Sequence, residues 1–370
     1  MSLLFLILLS LLFASGVSSL PVTTIGVTYN PSRVAHHPPS PDHVASRIQS
    51  SLKLFSAVRL PDPDPATIRA FAYSNISLLL NVPNSLLPAL AANASAAKLW
   101  LYTHVLPFYP RARISTISVG SDALLDPDVA DPDLRLLPAL RNLHRSLRDL
   151  GIHSIAVSTT FSFVHVITTA FPPSAAEFQQ PLADLLVKPL LQFLDQTNSS
   201  FLINLHPYSV YSLNHDIPIG YALFQEEPFS FRDDPLTGVR YRNLFDTMVD
   251  AVISAMAVAG HENIPVIVTE TGWPSDDDSN YSEMYIKGLI RHLRSGLGTP
   301  LRKEGVAETY IYQLLDAPDD KNQSQRQNWG ILYPNMTNKY HIDFSASNSI
   351  IAGGGGGRLI WVFVAVWLLH

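Results

Sequence analysis

The sequence predicts an α/β protein folded as a single (β/α)8 TIM barrel. Three observations carry this expectation. Eight short apolar, β-branched runs recur along the chain, amphipathic helical patterns separate them, and polar residues collect directly after the runs. A length of 370 residues suits one large barrel, and 47% hydrophobic residues supply a sizeable core. There is no cysteine, so the fold must be held by that core without disulfides.

In order, the runs are Thr24 to Tyr29, Ala57 to Leu60, Ile76 to Val82, Ile114 to Val119, Ser154 to Ser158, Phe201 to Leu205, Val266 to Thr269 and Tyr310 to Leu315. Most are bounded by Gly, Pro, Asp or Asn, as strands covered on both faces should be. Helical spacing is clearest over Leu134 to Leu150, Leu182 to Leu194, Leu244 to Ala259 and Tyr281 to Leu293. The Pro-rich pieces "HHPPSPDH" and "LPDPDPA" read as loops that start helices, because Pro fits a first helical turn and a preceding Asp can cap it. A doubly wound open sheet is the competing architecture, and a strand count does not exclude it. No internal repeat and no linker divides the core.

The ends differ from the middle. Leu3 to Phe13 is apolar and is followed by small residues to Ser19, the layout of a secretory signal peptide over 1–19. The barrel is expected over 20–345. In 346–370 a glycine run, Arg358 and the tail "LIWVFVAVWLL" follow the small residues Ser345 to Ser349, which is the order of a GPI-anchor signal. That tail is too short to span a bilayer about 30 Å thick as a helix. Six sequons, at Asn75, Asn93, Asn198, Asn280, Asn322 and Asn335, fit an exported glycoprotein. Net charge is −6 and no cationic run exceeds a pair, which disfavours nucleic acid and anionic membrane surfaces. The expectation is a monomer outside the cell, attached to the plasma membrane only by a lipid anchor.

In such a barrel the chemistry sits at the C-terminal ends of the strands. The polar residues there are Tyr29 and Asn30, Asp62, Asn84, Asp122, Thr159 and Thr160, His206 and Tyr208, Glu270 and Trp273, and Asp316. Carboxylates and aromatics dominate, and neither Lys nor Arg is among them. This lining suits a neutral, hydroxyl-rich ligand such as a sugar. Glu270 is the sharpest candidate: it ends an apolar run and opens "ETGWP", beside a glycine for a tight turn and a tryptophan for a sugar platform. Asp122 alone reads equally well as one of several helix-capping aspartates. The histidines are scattered, with His36, His37 and His206 read as surface or pocket-lining groups; no metal and no cofactor is expected.

The pieces "TTIGVTYN", "VRLPDPD", "LLLNVPN", "ISVGSD", "PPSAAEF", "NLHPYS", "YRNLFDTMVDAV", "IVTETGWPS" and "NWGILYPNMTNKYHIDF" resemble, in order, the signposts of glycoside hydrolase family 17, the plant β-1,3-glucanases. The resemblance covers roughly Thr23 to Phe344. It implies a cleft for β-1,3-glucan and retaining hydrolysis by two carboxylates. By the same resemblance Glu270 stands at the nucleophile position and Asp122 at the acid/base position. Tyr29, Ser121, Asn204, Tyr208, Trp273 and Asp316 are carried over as substrate-binding positions.

The chain departs from the family on the acid side. Ser121-Asp122 stands for Asn-Glu, Leu315-Asp316-Ala317 for Phe-Asn-Glu, His206 for a tyrosine, and Pro61 for another. Aspartate withdraws the carboxyl by roughly 1 Å, and a shift of that size can cost on the order of a hundredfold in rate. Three functions therefore compete: a hydrolase with a detuned acid, a silent glucan-binding wall protein, and a transglycosylase.

Overall fold

The computed structural model describes residues 23–33, 38–129, 131–214, 216–225, 230–275, 280–317 and 328–345. The expected signal peptide, His36 and His37, the Asn322 sequon and the C-terminal tail lie outside these residues. Eight parallel strands close into a barrel: β1 Thr24–Thr28, β2 Ala57–Leu60, β3 Ser77–Val82, β4 Arg113–Ser121, β5 Ala156–Ser162, β6 Phe201–Asn204, β7 Val266–Thr271 and β8 Glu308–Ile311. Each pairs with its neighbour in sequence. The first also pairs with the last, Thr24 opposite Glu308, which rules out the open sheet.

Six expected strands agree with the structure to within a few residues, and two are shifted. The fifth starts and ends later, at Ala156 and Ser162. The eighth ends early at Ile311, because the residues beyond it leave regular pairing. They stay tied to both neighbours nonetheless, as Tyr312 N–H donates to the Thr271 carbonyl and Leu314 N–H to the Thr28 carbonyl. The four expected helices are present, at Pro132–Asp149, Lys188–Thr197 preceded by a π-helical turn, Leu244–Val258 and Tyr281–Ser295. Both Pro-rich pieces start helices as expected. Ser40 caps Pro41–Ser51 by accepting from His43 N–H, and Asp64 caps Pro65–Ala70 by accepting from Thr67 N–H.

Two apolar clusters divide the work. The large one lies between the strands and the surrounding helices. The small one, Ala57, Leu79, Leu202, Ile267 and Tyr310, plugs the barrel interior. Side chains alternate along a strand, so the residues two positions on, Arg59, Asn81, Asn204 and Thr269, form the next layer toward the C-terminal mouth. The interior therefore changes from apolar to polar in one step, and that step is the floor of the site.

Several carboxylates are buried away from the mouth, Asp250 most completely. Asp250, on the helix Leu244–Val258, is fully buried and accepts from Leu301 N–H at 2.9 Å. Burial, reinforced by the nearby Asp246, raises its pKa to about 6, although hydrogen bonds from Thr299 and Leu301 oppose the rise. The folded state thus binds this proton more tightly than the unfolded chain does. Stability from this group is present below about pH 4 and is lost as the pH rises through 6. Asp250→Asn is expected to flatten that dependence by up to about 3 kcal/mol between pH 4 and 7, as measured by urea unfolding at a series of pH values.

Candidate active site

Glu270 lies near the end of β7, where the ladder to β6 shifts register, so that Asn204 rather than Leu205 faces it across the strands. A bulge at a strand end re-aims the side chain, here into the barrel mouth. Leu205 N–H donates to the Glu270 carbonyl at 2.8 Å and fixes the two strand ends together. The Glu270 side chain is 17% exposed. Its Oε1 accepts from Arg59 Nη1, and its Oε2 lies 3.6 Å from His206 Nε2. Burial alone would raise the Glu270 pKa, but Arg59 and His206 outweigh it and bring it down to about 2.

Arg59 was absent from the residues expected at the strand ends, because it lies inside β2 rather than after it. Its side chain is 1% exposed, and a guanidinium so enclosed needs a carboxylate. The signal was in "AVRL", where one arginine interrupts an otherwise apolar strand. The other arm of the guanidinium, Nη2, donates to Ser121 Oγ at 3.2 Å, so one cation links β2, β4 and β7.

Asp122 follows β4 in a left-handed conformation, φ 49° and ψ 35°, which aspartate tolerates better than most residues. The turn is held by Asp122 N–H donating to the Thr160 carbonyl and by Leu125 N–H donating to the Asp122 carbonyl. Asn84 brackets the preceding residue. Its amide donates to the Ser121 carbonyl at 3.0 Å, and its oxygen accepts from Ser121 N–H at 2.9 Å. Gly120, at φ 76°, lets the chain pass this asparagine; a Cβ there would stand 3.0 Å from Asn84 Oδ1.

The Asp122 side chain is held from β6. Thr269 Oγ1 donates to Asn204 Oδ1 at 2.9 Å, which turns the Asn204 amide nitrogen toward Asp122 Oδ2, 2.8 Å away. Asp122 Oδ1 is enclosed and makes no hydrogen bond. Burial and then the charge of Glu270 raise the Asp122 pKa to about 6, against the lowering effects of Asn204, Arg59 and His206. Asp122 is thus no mere helix cap. Two carboxyl groups at one barrel mouth are driven apart, one toward the protonated form and one toward the anion, as acid/base assignments require.

The remaining expected residues divide. Tyr208 stands beside the site, edge-on to Trp273 at 5.2 Å and to Trp329 at 5.8 Å. Trp273 is not an open platform. It is 3% exposed and packs behind Tyr208, Tyr211 and Tyr285. Trp329, from "NWG", is partly exposed and meets His206, Tyr208 and Tyr312. Gly272 serves a close approach, since a Cβ would lie 2.4 Å from the Tyr312 carbonyl oxygen.

Tyr29 and Asp316, expected to contact substrate, are both buried. Tyr29 is 1% exposed, its hydroxyl enclosed without a hydrogen-bond partner. Asp316 is spent on the fold: Lys339 Nζ contacts its Oδ2 at 2.7 Å, and Gly330 N–H donates to its Oδ1. Among the described residues no three of His, Cys, Asp or Glu come together as a metal site, and no helix is long and apolar enough to cross a membrane.

A parallel eight-stranded barrel with a divided carboxylate pair at its C-terminal mouth has the architecture of the (β/α)8 glycosidases. The family model described as Glycosyl hydrolases family 17 matches residues 25–344, and the chain belongs to that family. Glucan endo-1,3-beta-glucosidase 12 of Arabidopsis thaliana is 35% identical over 88% of this chain, and Glucan endo-1,3-beta-glucosidase 13 is 34% identical over 91%. The chain spans 61% and 68% of the length of these two relatives. Among solved structures, a beta-1,3-glucanase and pollen allergen of Cryptomeria japonica superposes with a TM-score of 0.79 at 34% identity, covering 88% of this chain and all of that one. A plant beta-glucan endohydrolase superposes at 0.75 with 31% identity, over 86% of this chain and 99% of its own.

The Arg59–Glu270 pair makes a clear thermodynamic prediction. Arg59→Met leaves a buried carboxylate uncompensated and is expected to cost about 3 to 5 kcal/mol. Adding Glu270→Gln is expected to restore most of that loss. A double-mutant cycle by chemical denaturation measures both effects.

Proposed function

We propose that this protein hydrolyses internal β-1,3 bonds of a glucan of the callose or laminarin type, with retention of configuration. The opposed protonation states of Asp122 and Glu270 carry this reading. Glu270, held as an anion by Arg59, attacks the anomeric carbon. Its bond to that carbon forms as the bond to the leaving oxygen breaks, and Asp122 gives its proton to that oxygen. Asp122, now ionised, takes a proton from water, which attacks the anomeric carbon and releases Glu270. The names of the relatives, which are glucan endo-1,3-beta-glucosidases, support the substrate class.

Ser121, Asn204 and Tyr208 are proposed to line the cleft, with Trp329 rather than Trp273 in the platform role. The apolar leader, the sequons and the small-residue, spacer and tail order at the C-terminus support export and a GPI anchor at the outer face of the plasma membrane, facing the cell wall. We read the ectodomain as a monomer.

One observation favours a second reading, a silent glucan-binding protein. Asp122 Oδ1 is enclosed and Oδ2 is occupied by Asn204, so neither oxygen is open to a leaving group without movement. Hydrolysis of a linear β-1,3-glucan by the purified protein decides between them. Turnover abolished by Glu270→Ala and raised about tenfold or more by Ser121→Asn with Asp122→Glu supports the enzyme. Binding without turnover supports the second reading.

The pH profile adds a further test. The rate requires Glu270 ionised and Asp122 protonated, so kcat/KM is expected to be level at mildly acid pH and to fall above about pH 6. Asn204→Ala removes a donor that favours the Asp122 anion, and the alkaline limb is expected to move upward.

A further inference from the structure

His206 takes no part in the steps above, yet it is built against the same carboxylate. It lies two residues past β6, at the N-cap position of the helix Pro207–Leu213, where its carbonyl accepts from Ser209 N–H at 3.0 Å. The ring is held edge-on by Trp329, centroids 5.2 Å apart, and by Tyr312 at 5.9 Å. Its Nδ1 is enclosed and makes no hydrogen bond, so the nitrogen available for work is Nε2, which faces Glu270 Oε2 at 3.6 Å. Arg59 already holds Oε1. The charged groups facing the ring are Glu270, Arg59 beyond it and Asp122 across the mouth.

We propose that His206 is a positioning residue for Glu270, its Nε2 edge, 3.6 Å from the second carboxylate oxygen, limiting that oxygen's movement while Arg59 holds the first. This rests on the hydrolase reading of the cleft. A carboxylate restrained at one oxygen can still rotate about its terminal torsion, which is broad for glutamate. Restraint at both oxygens leaves one orientation, and a lone pair on Oε2 remains for attack. The packed aromatic wall explains how an imidazole, smaller than the tyrosine expected at this position, is kept in place.

The pairing is tested without turnover. The ring-nitrogen resonances of His206, followed by histidine-resolved nitrogen NMR at one fixed pH, are compared between the wild type and Glu270→Gln. Replacing the carboxylate that faces Nε2 is expected to move the Nε2 resonance more than that of the enclosed Nδ1. An unchanged Nε2 resonance overturns the proposal even if the protein hydrolyses glucan, whereas a change in a protein that hydrolyses nothing sustains the contact and sinks only the enzymatic reading.

Kinetics then test positioning. His206→Phe keeps a ring against Trp329 and Tyr312 without the donor, and kcat is expected to fall about tenfold with KM within about twofold. His206→Gln, which returns a neutral donor, is expected to recover most of the loss. Equal losses in both variants, a loss confined to KM, or an unchanged kcat would each overturn it.

Discussion

The ion pair between Arg59 and Glu270 is the constraint on which the site depends. An arginine that is 1% exposed in a barrel interior is tolerated only against an anion, and Glu270 is the anion provided. The pair sits one layer above the apolar plug of Ala57, Leu79, Leu202, Ile267 and Tyr310, where low polarity below strengthens the attraction. Its effects spread by charge. Burial raises Asp122, and a permanently ionised Glu270 adds to that rise, so the second carboxyl holds a proton in mildly acid medium. The buried cation thereby holds Glu270 ionised, while burial, assisted by the Glu270 charge, keeps the proton on Asp122.

Positions reach the mouth from different strands, and each is braced by a neighbour. Asn84 holds Ser121 by two backbone contacts, Thr269 orients Asn204, and Asn204 holds Asp122. Ser121, although shorter than the asparagine of the family pattern, accepts from Arg59 and so joins the same network. The acid side has not become a void. It is a smaller arrangement whose shorter groups are tied to the cation and to Asn204, at the expense of reach toward a substrate.

The sequence revealed the strands because those covered on both faces read as continuous apolar runs between helical patterns, whereas closure of the sheet was visible only in the pairing of β1 with β8. The Glu270 position was legible for the same reason, since a carboxylate that ends such a run falls at the barrel mouth. Arg59 was not, because scanning the residues after each strand overlooks one that points inward from within it. Trp273 and Asp316 misled in the opposite sense. Both follow strands, but residues distant in sequence cover them, Tyr208, Tyr211 and Tyr285 in one case and Lys339 and Gly330 in the other. No local pattern carries that information. Trp329 was hidden likewise, since its neighbours His206, Tyr208 and Tyr312 come from other parts of the chain.

A carbon-detected NMR titration of the Glu270 and Asp122 carboxyl groups in the wild-type protein reads their two protonation states at once. Midpoints near 2 for Glu270 and near 6 for Asp122 are expected from the surroundings each group has. If both groups titrate together near 4, the ordinary range for carboxylates, then Arg59 does not divide them and the chemical roles assigned to the pair lose their basis.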